Sequence, residues 1–267
     1  MAKRVDLRRF RAEPLYFLHL HKTGGQSMIP VLDRCFRRTG LERFVRRTRI
    51  CPAMDFSGLA ALPDERLDSY SLYRGHFGFH LPAFLSRTPV VITMLRDPVA
   101  RVISHYHHLR RAPDRPLHGL VAGGMTLEEF CRHEVTRRAS SNLQARNLGG
   151  KTPERRLTSA DARCDPVEGP DGFGAGEDEA TLRERAIRRL DECAAVGLTE
   201  QFDRSVALFA DVLGLPLRSE TKRRNVGGHG QRPDELDDRT RAAIEDANRL
   251  DLELFALARA RFERDAS

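Results

Sequence analysis

The chain has 267 residues, 40% of them hydrophobic, and its 45 Lys and Arg against 38 Asp and Glu leave a formal charge of +7. That apolar content excludes a disordered chain and is enough for one large domain, expected here over residues 1–267. No apolar run approaches the roughly 18 residues of a bilayer-crossing helix. The basic residues 1–13 are followed by no signal-peptide core, so a cytoplasmic protein without a transmembrane segment is expected.

In chain order, the apolar residues 15–20 read as a buried strand that ends at the turn Lys22-Thr23-Gly24-Gly25. A helix follows, with Met28, Ile29, Val31, Leu32, Cys35 and Phe36 on one face and Pro30 expected in its first turn, where a missing N–H is tolerated. A second strand falls at either 44–50 or 69–73. The third, 90–95, is continuously apolar and β-branched, as in a strand buried on both faces. It ends at Arg96-Asp97-Pro98, and Pro98 opens a helix carrying Val99, Val102, Ile103 and Tyr106. Residues 194–198 read as a fourth strand, 202–213 as an amphipathic helix, and 234–264 as helical to the end.

Strands alternating with helices predict an α/β fold with a mostly parallel central sheet flanked by helices. Residues 153–180, rich in Gly and acids, read as a mobile insertion, and no internal repeat is visible. The five cysteines (Cys35, Cys51, Cys131, Cys164, Cys193) are scattered and never spaced as CxxC, which argues against a disulfide scaffold or a zinc ribbon. The ten histidines show no HExxH spacing, so no metal is expected. The basic balance favours anionic ligands. Arginine is nevertheless spread along the chain and mixed with acids, unlike the stripe of a nucleic-acid binder.

Two segments carry chemistry. In His19-Leu20-His21-Lys22-Thr23-Gly24-Gly25-Gln26-Ser27, placed between strand and helix, the glycines admit close backbone approach and the helix start favours an anion. Lys22 adds charge, and Thr23, Gln26 and Ser27 add donors. Lys22 precedes the glycines, so this is not the GxxxxGK[ST] loop. In Arg96-Asp97-Pro98 through His105-Tyr106, Arg96 stands where a buried strand stops, with Ser104 eight residues on. The two could grip a second phosphate; alternatively, Arg96 and Asp97 form an ion pair capping a helix.

Together the segments resemble the 3′-phosphoadenosine 5′-phosphosulfate (PAPS)-dependent sulfotransferases, in particular the heparan sulfate 2-O/6-O branch and its bacterial relatives. HKTGGQS is similar to that family's 5′-phosphosulfate loop, and RDPVARVISHY to its 3′-phosphate motif. Tyr73-Arg74-Gly75-His76-Phe77 is similar to the segment bearing its catalytic histidine, and the stretch around Asn142, Gln144 and Arg146 to its Asn-x-Gln-Thr-Arg-x-Leu. The resemblance covers residues 15–149 and 194–230. It implies a P-loop-like fold, PAPS as donor and 3′,5′-ADP (PAP) as product, with no metal. It also implies His76 as base and Lys22 at the leaving group. Thr23, Gly24, Gly25, Gln26 and Ser27 would hold the 5′ end, and Arg96 and Ser104 the 3′-phosphate. Lys222, Arg223 and Arg224 would lie in a loop over the nucleotide. The acceptor would be a hydroxyl of a glycan or glycolipid, with Arg74, His105, His108, Asn142, Gln144 and Arg146 on its side. His21, Gln26 and Arg74 depart from the family pattern, and the departure at Arg74 bears on acceptor choice. The rival readings are a P-loop nucleotide kinase, which lacks its complete loop here, and a non-catalytic binder of anionic polymer, which rests on the charge alone.

Overall fold

Four short segments form parallel strands: β1 (Leu15–Leu18), β2 (Leu72–Gly75), β3 (Val90–Leu95) and β4 (Ala195–Leu198), in the order β2-β1-β3-β4. Leu15 lies opposite Leu72 and Val90, and Leu95 opposite Leu198. Every residue of β1, β2 and β4 is buried, which is why β1 and β4 read as apolar runs and show no alternation; β2 buries the charged Arg74 as well. The computed structural model describes residues 9–38, 50–55, 58–59, 61–151, 176–219 and 232–266. Of the two segments weighed for the second strand, 69–73 is the nearer. From the other, Ile50 makes a lone parallel bridge to Leu72, and 44–49 lie outside the described residues.

The winding reverses between β1 and β3, so their carboxyl ends diverge into a crevice, where open α/β sheets take ligands. The residue just past each strand is His19, His76, Arg96 or Thr199. Sheet topology alone thus brings together residues that lie far apart in the chain.

The helices that matter to the site are α1 (Gly25–Arg38), α2 (Pro98–Arg111), α3 (Leu143–Gly149), α4 (Glu179–Glu192), α5 (Phe202–Leu213), α6 (Asp238–Ala247) and α7 (Arg249–Asp265). Pro30 corrects an expectation. Helix α1 begins at Gly25, so Pro30 sits in the second turn, and the Gln26 carbonyl loses its usual donor four residues on. Asp97 caps α2 by accepting the Ala100 N–H at 2.9 Å, with Pro98 in the first turn. Residues 153–175 of the expected insertion lie outside the described residues, while Glu179 and Ala180 already belong to α4, capped by Asp178. Cys35, Cys51, Cys131 and Cys193 are buried free thiols.

The expected C-terminal helix is broken at Asn248, whose side chain closes α6 by donating to the Ile244 carbonyl at 2.8 Å. Asn142 then starts α7, its Oδ1 accepting the Leu250 and Asp251 N–H groups at 3.0 and 3.2 Å. Beneath this joint, Arg101 and Asp251 face each other at 3.9 Å, both fully buried. Arg101 donates to the Ser140 carbonyl at 2.7 Å, and Asp251 accepts the Gln144 and Ala145 N–H groups at 3.1 and 2.7 Å. Burial outweighs the nearby arginine and raises the Asp251 carboxyl above its ordinary pKa. Among the described residues, no helix is long and apolar enough to cross a membrane.

Candidate functional site

The loop after β1 is held by its own backbone. Lys22 and Gly24 take positive φ (+67° and +84°), natural for the glycine and strained for the lysine. The Thr23 hydroxyl, expected among the ligand donors, is fully buried and donates to the Leu20 carbonyl at 2.9 Å, so its side chain braces the turn. Ser27 and Met28 donate to the Gly24 carbonyl at 2.9 and 3.1 Å, opening α1. Ahead of them, the N–H groups of Gly24, Gly25 and Gln26 make no hydrogen bond among the described residues. Gly25 cannot be replaced without movement, because a Cβ there would lie 1.9 Å from the His19 ring. Gln26 is exposed and Ser27 half-buried on the first turn. The result is a set of unused donors at the positive end of a helix, beside a lysine.

Arg96 joins this loop directly: its guanidinium donates to the Lys22 carbonyl at 3.1 Å. Gln144 clamps the Arg96 backbone from both sides, accepting its N–H at 3.0 Å and donating to its carbonyl at 2.9 Å. Thr199 donates to the Leu95 carbonyl at 3.1 Å, and Glu200 accepts the Asp97 N–H at 3.1 Å. Ser104 is half-buried on α2. Burial, reinforced by the charges of Arg96, Arg111 and Arg115, brings the Lys22 ammonium down to about 8. Cations crowded until one is near losing its proton suit an anion. Arg111 and Arg115 escaped the sequence reading. The only signal for them was a run of arginines at the end of the α2 segment, which looks the same on any solvated helix.

Next to the cradle lies a stack of imidazoles. The His76 ring faces that of His21 at 3.6 Å and that of His19 at 4.1 Å, and His105 lies 6.4 Å beyond His21. His76 Nδ1 is 2.8 Å from the His19 carbonyl. A carbonyl only accepts, so Nδ1 carries the hydrogen and Nε2 the lone pair, the tautomer a general base requires. Burial first, and the neighbouring His76 second, lower the pKa of His19 and of His21. The His21 and His76 rings are stacked, those of His19 and His76 tilted, and among the described residues no group of His, Cys, Asp and Glu is arranged to hold a metal.

Most residues expected on the acceptor side are otherwise engaged. Arg74 is paired with Asp33 through two nitrogens, one at 3.0 Å, and donates to the Cys51 carbonyl at 2.7 Å. Asn142 caps α7, Gln144 clamps Arg96, and Arg146 donates to the Ser141 carbonyl at 3.1 Å and to that of Arg138. Each of these four is held by partners within the fold. His105 is buried, with Nδ1 3.0 Å from the Ala139 carbonyl, and His108 is half-buried on the same helix. Lys222, Arg223 and Arg224 lie outside the described residues.

Fold and site define a parallel α/β protein with cationic groups and a histidine at one sheet edge. No family model matches the chain, and no curated protein matches it either.

Proposed function

We propose that the chain is a PAPS-dependent O-sulfotransferase acting on a hydroxyl of a glycan or glycolipid. The observation that carries this reading is the direct bond from Arg96 to the Lys22 loop, which makes one cationic crevice of two motifs 74 residues apart, with His76 beside it. The donor set fits a nucleotide with phosphate at both ends. The N–H groups of Gly24, Gly25 and Gln26, with Ser27 and Lys22, suit the 5′ end; Arg96 and Ser104 suit the 3′-phosphate. In the reaction the acceptor oxygen bonds to sulfur as the sulfur–oxygen bond to the 5′-phosphate breaks, its electron pair leaving with PAP. His76 takes the acceptor's proton at Nε2 as that bond forms. Lys22 offsets the charge that grows on the leaving oxygen. Gln144 keeps Arg96 in place by fixing its backbone.

Calorimetry with PAP tests the reading. Wild-type protein is expected to bind, and Arg96→Ala to weaken binding by about 1.5–3 kcal/mol, the range for a hydrogen bond to a charged group. Absence of heat with the wild type would overturn the proposal. The pH dependence follows from Lys22. A bound anion raises the lysine's pKa, so the complex takes up a proton where the free protein has lost one. Affinity is therefore full below pH 8 and falls as the pH rises through about 8. Lys22→Arg, charged throughout, is expected to flatten that profile, and an unchanged slope would remove Lys22 from the contact.

A further inference from the structure

We infer that His19 and His21 are positioning residues that confine protonation of the ring stack to His76. The stack is close enough that two charged rings would face each other across 3.6 or 4.1 Å, so its members share one titration and cannot each gain a proton independently. Hydrogen bonding decides which ring accepts it. An imidazolium needs an acceptor for both of its N–H groups. His76 has one for Nδ1, the His19 carbonyl at 2.8 Å. The Nδ1 atoms of His19 and His21 are buried and, among the described residues, have no hydrogen-bond partner. Protonating either ring would therefore bury a charged donor with nothing to receive it, the costliest way to leave a polar group.

The other charged groups around the stack act in the same direction. Lys22 on the loop faces His19; His105 on α2 and Arg115 beyond it face His21, and all three oppose a positive charge on those rings. The His19 ring lies against Gly25, whose missing side chain leaves room for it. His76 is thus held between two neutral faces, with its plane set by stacking and its tautomer by a carbonyl. A proton taken from the acceptor stays on Nε2 and does not migrate along the stack. The bearing on turnover rests on the reaction proposed above; the titration itself does not.

The test is a pH titration of the full chain labelled with ¹³C-histidine, following the imidazole resonances between about pH 5 and 8. Resonances are assigned from the single variants His19→Gln, His21→Gln and His76→Gln. The His76 resonance is expected to titrate in one step while those of His19 and His21 stay still. Movement of either together with His76, or a static His76, overturns the inference. His21→Phe provides a second measurement, since it keeps an aromatic face and has no proton to gain. The His76 midpoint is expected to be unchanged in this variant. A rise of about one unit would mean that His21 carries charge in the wild type, and would equally overturn it. Both measurements are made without nucleotide, so they stand whether or not PAP binds.

Discussion

Asp251→Ala is expected to cost about 3–5 kcal/mol of stability, measured by denaturant unfolding. The substitution leaves the Arg101 guanidinium fully buried without its counter-charge. It also strips the acceptor from the Gln144 and Ala145 N–H groups at the start of α3. The damage reaches the site by a short path, because Gln144 is the residue that holds the Arg96 backbone. Replacing both partners with apolar residues, Arg101→Met with Asp251→Leu, is expected to recover the part owed to the unpaired charge but not the part owed to the Gln144 and Ala145 N–H groups, which still lack their acceptor. A loss below about 1 kcal/mol in the single variant would show that Arg101 is balanced by the Ser140 carbonyl and its other partners alone.

His76→Ala is expected to lower kcat by about 10²–10⁴-fold, the range for removing a positioned general base. PAP affinity is expected to hold within about twofold, because the cradle is built from Lys22, the α1 start and Arg96, none of which needs the imidazole. The contrast is the informative part. A parallel loss of binding and turnover would mean that the ring supports the loop, and undiminished turnover would remove His76 from the chemistry.

Much of the fold was legible because its strands are buried on both faces. Residues 90–95 were read with the bounds that β3 has, and 202–213 with those of α5. Asp97-Pro98 announced a helix start by cap and ring alone. Much of what escaped depends on polar partners distant in sequence. The break at Asn248 is invisible to periodicity, since Ala247, Leu250 and Leu254 keep their spacing across it. It depends on Asn142, whose cap on Leu250 spans 108 residues. The site divides the same way. Lys22, the glycines, Arg96 and His76 stood out as local patterns at strand ends. For Arg74, Asn142, Gln144 and Arg146, nothing local reveals that they bond to Asp33, the start of α7, the Arg96 backbone and the Ser141 carbonyl.

The contact between Gly25 and the His19 ring has a consequence for how such a protein can change over time. One wall serves two rooms: the turn that would greet a nucleotide and the imidazole pile that would receive a proton share an atom-wide boundary. A methyl group added on the first side is felt at once on the second. At this one position, a change made in the turn is also a change made in the ring stack.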